Sequence, residues 1–247
     1  MAPELLLFSS TSVHGYPPLG HAMEVMTELV AGARALHFAP FAIVDHDLYL
    51  TRVQEILAPI GVSVVGLHAV PDPAAAVEEA EVLFIGGGNS FRLLTALWTL
   101  KLIEPIRRRV QAGELRFVGS SAGTNMACPS LRTTNDMPIV QPPTFEALGL
   151  VPFQVNPHYL DPDPTSTHRG ETREQRIVEF LEENDVAVVG LREGSWLRRR
   201  GPSLHLGGIS GARLFRRGEA PREYEPGADL SWLLDAEPRF DAPAYQA

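Results

Sequence analysis

Leu115 to Asp136, LRFVGSSAGTNMACPSLRTTND, is the stretch on which the fold assignment turns. It opens with a short apolar run, Leu115 to Val118, interrupted by Arg116, and this predicts a buried strand. Gly119-Ser120-Ser121-Ala122-Gly123 follows and fits G-x-S-x-G with Ser121 at its centre. A strand that bends sharply into a helix needs small neighbours, and the bend thrusts the central side chain out at the strand's carboxyl end. The same bend aims the Ala122 N–H at the space beside the Ser121 hydroxyl, where an oxyanion would form. Plain Ser/Gly loops also produce this pentapeptide. The strand before it and the small-residue helix after it favour a nucleophile.

Upstream, apolar runs alternate with helix-forming segments. Glu4 to Ser9 (ELLLFS), Ala35 to Ala39, Val62 to Leu67 and Val82 to Ile85 are strand candidates. His21 to Ala33, Leu48 to Leu57, Ser90 to about Leu100 and Glu104 to Gln111 have helical character. Asp72-Pro73-Ala74 carries an N-cap followed by proline at the first helical position, so a helix runs from there to Ala80. Such alternation specifies an α/β fold with a mostly parallel central sheet and helices on both faces. Downstream, Phe153 to Val155 leads into Asn156-Pro157-His158, Thr172 to Glu182 is a helix, and Val186 to Val189 is a further buried strand. From Ser195 to Arg217, short strands with Gly turns indicate an antiparallel hairpin or edge. Ligand sites of such sheets lie at the strands' carboxyl ends, where Gly88 and Ser121 both fall.

The 247 residues carry no internal repeat and no linker long enough to separate two domains, so residues 1–247 are expected to form a single domain, with a flexible tail from about 235 to 247. A domain of this size buries about 70–75% of its unfolded surface and needs no staples. The net charge of −9 argues against nucleic acid or an anionic membrane as partner. The single cysteine, Cys128, excludes an intrachain disulfide and suits a reducing cytoplasm. No apolar run approaches the roughly 18 residues of a membrane helix, and no secretory leader is evident at the N-terminus. The expectation is a cytoplasmic protein; composition leaves a homodimer open.

Serine needs a base, and the base needs an orienting acid. Of eight histidines, His37 and His68 fall in or at the end of strand runs, and His14, His21, His46, His168 and His205 lie in loops, helices or the presumed hairpin. His158 directly follows a strand, where a parallel sheet would set it beside Ser121. Two acids compete to orient it: Glu193, just past the next strand, and Asp136, in the loop after the nucleophile helix. Triads recur in several chain orders, so order does not choose between them. Gly86-Gly87-Gly88-Asn89 supplies a second oxyanion donor from another strand–helix loop. It matches neither nucleotide-binding glycine pattern, and no His/Glu or Cys/His spacing suggests a metal.

With these parts assembled, the chain resembles the peptidase E family, α-aspartyl dipeptidases among the serine peptidases with a class I glutamine amidotransferase-like fold. The resemblance rests on IGGGNSFRLL at Ile85, SAGTNMACP at Ser121, RTTNDMPIV at Arg132, NPH at Asn156, GETREQRI at Gly170 and EGSW at Glu193. It implies Ser121 as nucleophile, His158 as general base and Glu193 as its orienting acid, with Asp136 at a position also proposed for that acid. It implies oxyanion-hole N–H groups on Gly88 and Ala122, a small peptide substrate with an N-terminal aspartate, and no metal or organic cofactor. Ser120 stands where the family has a bulkier residue, and the loop Tyr159 to Arg169 differs in length and composition.

A substrate aspartate needs a charge-assisted, preferably bidentate partner, which arginine provides. Arg173 is the first choice, with Arg132 and Arg176 behind it. Arg176 also has the spacing of a solvated helix-face ion pair. The substrate ammonium needs an acceptor, for which Glu171 and Asn89 are the candidates. Competing functions are a cyanophycinase-like hydrolase of other aspartyl linkages (β-Asp-X), and a non-catalytic module of the same fold. An amidotransferase would need a thiolate at position 121.

Overall fold

The computed structural model describes residues 2–165, 167 and 169–244. His168 and the last three residues of the expected tail lie outside that set. The central element is β1 (Glu4–Phe8), whose apolar residues alternate between two halves of the core. Leu5 and Leu7 face one half, Leu6 and Phe8 the other, and none is more than 1% exposed. Each fully buried side chain of this kind contributes about 1.5–3 kcal/mol.

Around it the expected alternation is present: α1 (Met23–Val30), β2 (Ala35–Ala39), α2 (His46–Leu57), β3 (Ser63–Gly66), α3 (Pro73–Glu79), β4 (Val82–Ile85), α4 (Ser90–Thr99), α5 (Ile103–Gln111), β5 (Arg116–Ser120) and α6 (Ala122–Ala127). Asp72 caps α3 by accepting from the N–H groups of Ala74 and Ala75, with Pro73 at the first position. The five strands run parallel in the order β3-β2-β4-β5-β1, and an antiparallel hairpin, β8 (Ser195–Arg200) and β9 (Ser203–Gly208), extends the sheet beyond β1. Helices α1 and α2 cover one face through Met26, Leu29, Val53 and Leu57. Helices α3 to α6 cover the other through Val77, Leu93, Leu97, Ile106 and Met126.

The strands expected beside Ser121 in that sheet are not in it. β6 (Gln154–Tyr159) and β7 (Val188–Arg192) pair in parallel with each other and belong to a second, four-stranded sheet of order β11-β10-β7-β6, with β10 (Ala212–Phe215) and β11 (Arg222–Tyr224). The place next to β1 is taken by β8, so β6 and β7 find no free edge there. They stack instead on the Leu5/Leu7 side, where Val155, Val189, Leu191 and Leu214 join the same core. α7 (Arg173–Glu183) covers the outer face of this sheet with Ile177 and Leu181, and starts at a capping box formed by Thr172 and Gln175.

The tail expected to be loose from about 235 is tied down as far as the description runs. Asp185 and Arg239 exchange backbone hydrogen bonds, and the N–H groups of Ala242 and Ala244 donate to the carbonyls of Glu183 and Glu182.

Candidate active site

Ser121 stands at the junction of β5 and α6 with φ 53° and ψ −111°. A non-glycine residue held in so sparsely populated a region costs about 1–3 kcal/mol, so its surroundings must hold it there. Its N–H donates to the Phe8 carbonyl at 3.2 Å, and the Thr124 hydroxyl donates to the same carbonyl at 2.7 Å. The outer glycines of the pentapeptide are required by contact. A Cβ on Gly123 would lie 2.0 Å from the Ile85 carbonyl oxygen, and one on Gly119 2.6 Å from that of Gly123. The close seat of α6 against β4 and β5 is therefore what G-x-S-x-G encodes here.

His158 closes on Ser121 from the second sheet. It also has positive φ, 54°, where the β6–β7 register slips between Pro157 and Tyr159. Its Nε2 lies 2.9 Å from Ser121 Oγ, and its Nδ1 lies 2.6 Å from Glu193 Oε1. An ionised carboxylate only accepts, so the proton sits on Nδ1 and the Nε2 lone pair faces the serine hydroxyl. Glu193 occupies the β7–β8 turn and is about half exposed.

Asp136, the competing acid, is engaged elsewhere. Its Oδ2 accepts from the N–H and the hydroxyl of Ser90, at 2.7 and 2.6 Å, and Thr134 Oγ1 donates to that hydroxyl. A carboxylate on the first turn of α4 is stabilised by the free N–H groups of the helix end. This corrects the expectation that Asp136 could orient His158: the carboxylate bound to His158 Nδ1 is Glu193.

The triple glycine lies directly against the nucleophile, with the Gly87 Cβ position 3.2 Å from Ser121 Cβ. Gly86 N–H donates to the Ala39 carbonyl, Gly87 N–H to the Tyr49 hydroxyl at 2.8 Å, and Asn89 N–H to the Ala42 carbonyl. The Gly88 N–H alone in this loop has no acceptor among the described residues. Gly88 has φ +136°, and a Cβ there would lie 2.6 Å from the Ala42 oxygen. Ala122 opens α6, so its N–H has no intrahelical acceptor either.

Of the candidate substrate arginines, Arg173 is half-buried at the first position of α7 and makes no ion pair or hydrogen bond among the described residues. Burial and neighbouring Arg176 draw its pKa below the ordinary arginine value, while Asp136 opposes them. Arg132 proves to be a tail anchor. It binds Asp241 at 2.6 and 3.0 Å and Asn184 Oδ1 at 3.2 Å, and its guanidinium lies over the Phe240 ring. Arg176 is exposed and faces Glu171 across 3.5 Å. Asn89 has no acceptor to spare for an ammonium, because Oδ1 caps α4 at the N–H groups of Phe91 and Arg92 and Nδ2 donates to the Met137 carbonyl. The expectation that Arg132 and Asn89 meet the substrate is thereby corrected, because both side chains are committed to structural bonds.

Cys128 is fully buried and burial pushes its thiol up to about 12, so it supplies no thiolate. Among the described residues, no three His, Cys, Asp or Glu side chains converge to hold a metal ion, and no helix is long and apolar enough to cross a membrane. Three contributors lie outside the sequence reading: Tyr49, which takes the Gly87 N–H, Ser90, which seats Asp136, and Ser9, whose hydroxyl accepts from the His158 N–H at 2.9 Å. Ser90 lies within IGGGNSFRLL, but nothing in that motif marks it as the partner of Asp136, and Tyr49 and Ser9 lie in no catalytic motif. Only contacts spanning many residues reveal them.

A strained serine between strand and helix of one sheet, facing a histidine–carboxylate pair presented by a second, defines a serine hydrolase. The model of Peptidase family S51 matches residues 5–207. Peptidase E of Streptomyces coelicolor is 59% identical over 237 residues, 96% of this chain and 97% of that protein. A Drosophila melanogaster protein named a probable alpha-aspartyl dipeptidase is 47% identical over 235 residues, 94% of this chain and 98% of its own. The crystal structure of a peptidase from an acI-B1 Actinobacterium shares the fold, with a TM-score of 0.65 at 17% identity over 93% of this chain and 97% of that one. The chain belongs to peptidase family S51.

Proposed function

We propose that the protein is a serine dipeptidase that cleaves α-linked Asp-X dipeptides through an acyl-enzyme on Ser121. Ser121 Oγ attacks the aspartyl carbonyl as its proton passes to His158 Nε2, and Glu193 stabilises the imidazolium so formed. The N–H groups of Gly88 and Ala122 receive the oxyanion, an arrangement in which one donor is worth about 2.7–4 kcal/mol of transition-state stabilisation. His158 returns the proton to the leaving amine, and water then releases aspartate by the same steps in reverse. The observation that carries this reading is the Nε2–Oγ distance of 2.9 Å with Nδ1 held by Glu193.

Arg173 receives the substrate's β-carboxylate. A partly desolvated guanidinium with no hydrogen bond or ion pair among the described residues is suited to a charge-assisted pair with an incoming anion. The aspartyl preference is supported by the name of the Drosophila relative. The lone buried cysteine suits action in the cytoplasm.

The test is Ser121→Ala with Asp-Leu, Asn-Leu and β-Asp-Leu as substrates. The variant should keep its fold and lose about ten-thousandfold or more in kcat. The parent should turn over Asp-Leu well ahead of the other two, and Arg173→Leu should erase the preference over Asn-Leu. Full activity in Ser121→Ala would end the serine reading, and a preference for β-Asp-Leu would favour the other aspartyl linkage.

A further inference from the structure

The catalytic groups come from two sheets that share no ladder. Ser121 follows a strand of the large sheet, while His158 and Glu193 lie at the ends of strands in the small one. Something must fix the gap between them to a fraction of an ångström, since misplacing reacting groups by about 1 Å can cost a hundredfold in rate. The residues at that seam are Phe8, the last of β1, and Ser9, which follows it.

We infer that Ser9 is a positioning residue for the reaction: its hydroxyl sets His158 and Glu193 against Ser121. The inference rests on the serine-peptidase reading above. Ser9 is 0% exposed, and its hydroxyl is used in both directions. It donates to the Leu191 carbonyl at 2.7 Å, two residues before Glu193, and accepts the His158 N–H at 2.9 Å. Its own N–H donates to the Ser195 carbonyl at 3.1 Å, two residues after Glu193. The Phe8 carbonyl, in the peptide group just before, takes the N–H of Ser121 and the hydroxyl of Thr124. Two adjacent residues thus hold the backbone on either side of the acid, the backbone of the base and the backbone of the nucleophile.

The backbone of His158 explains why a hydroxyl is needed there. With φ at 54°, where the β6–β7 register slips, His158 depends on Ser9 to receive its N–H. An N–H left without an acceptor in a half-buried site would favour relaxation to an ordinary extended φ. That relaxation would swing the imidazole away from Ser121 Oγ. A plain tie between two sheets would affect only how much protein is folded. A positioning residue also affects the reactivity of each folded molecule.

The experiment compares the parent with Ser9→Ala, both shown folded by circular dichroism. It measures the rate of Ser121 modification by a fluorophosphonate, kcat and KM on Asp-Leu, and the downfield proton NMR signal of the Nδ1–H shared by His158 and Glu193. The expected result is a labelling rate and kcat lowered by about ten- to hundredfold. KM should stay within about threefold, and the downfield signal should shift or broaden. A folded variant that labels and turns over within about threefold of the parent overturns the inference, whatever its melting temperature. Should Ser9→Ala not fold, Ser9→Cys, slightly larger and weaker in hydrogen bonding, is judged by the same threshold. A parent that is not labelled at Ser121 removes the serine-peptidase reading, and the positioning role with it.

Discussion

The two sheets contribute to the site in different ways. The large sheet presents Ser121 by local means: a turn between consecutive elements, two glycines that admit close contact, and a short helix seated on the strands beside it. The small sheet presents His158 and Glu193 by distant means, through side chains and carbonyls far apart in sequence, such as Ser9 and Leu191. The nucleophile is thus held by backbone shape and the base by hydrogen bonds. The first kind of support fails by steric clash and costs stability. The second fails by loss of orientation and costs rate.

The largest expected effect on this contrast is in rate. Glu193→Gln should lower kcat/KM for Asp-Leu by about a hundred- to a thousandfold, because an amide can present its N–H to Nδ1 and favour the wrong tautomer. Glu193 is about half exposed, which places the expectation below the largest losses known for buried triad acids. Asp136→Asn should act mainly through α4, with a loss of about tenfold or less and little change in the pH profile of kcat. Steady-state kinetics of the two variants across pH separates them. If Asp136→Asn proved the more damaging in kcat, the assignment of the working acid would reverse.

On the large-sheet side, Gly123→Ala should be costly in stability, by about 3 kcal/mol or more, since its Cβ would lie 2.0 Å from a backbone oxygen with no flexible side chain to yield. Urea unfolding would measure it, and a variant as stable as the parent would show that α6 can lift off β4 freely. A smaller effect is expected at Tyr49. Its ring packs edge-on against Phe38 and its hydroxyl holds the Gly87 N–H, so Tyr49→Phe keeps the packing and orphans one donor. The expected loss is about 1–3 kcal/mol of stability. A lower kcat with KM nearly unchanged should accompany it if the loop carries the oxyanion donor.

The same contrast explains what could be read from residue order. The elbow, the triple-glycine loop and the Asp72-Pro73 cap are local patterns, and each lies where periodicity and turn chemistry put it. The separate sheet is not legible in residue order, because a short apolar run such as Val186 to Val189 suits any buried strand and carries no mark of its partner. Residue order marks Arg132 as a substrate ligand because its partner, Asp241, is 109 residues away in a segment whose composition reads as a loose end. Asp136 and Glu193 are equivalent in residue order for a similar reason. What distinguishes them is Ser90, which holds one of them on α4.

The mildest prediction sets the large sheet apart from the small sheet by pH. His21 and His37 both lie on the large-sheet side, His21 edge-on to Phe8 and His37 within β2. Burial lowers the pKa of each, offset at His37 by Glu79 and Glu81, and neither His21 nitrogen has a hydrogen-bond partner among the described residues. With the folded value depressed, the unfolded chain binds more protons as pH falls below the usual imidazole value of about 6.5. Their contribution is therefore complete above about pH 6.5 and is lost as pH falls through the folded value. In the small sheet, Arg192 holds the Asp161 carboxyl below its usual range, first by hydrogen bonding, so that pair weakens only as pH falls below about 4. Melting temperatures between about pH 7 and pH 5 should decline in the parent and flatten in the double variant His21→Leu, His37→Leu. Arg192→Leu should leave that slope unchanged while shifting the response in stronger acid. A parent whose melting temperature is level across the upper window would mean that both imidazoles take up protons in place, without strain on the packing around β1 and β2.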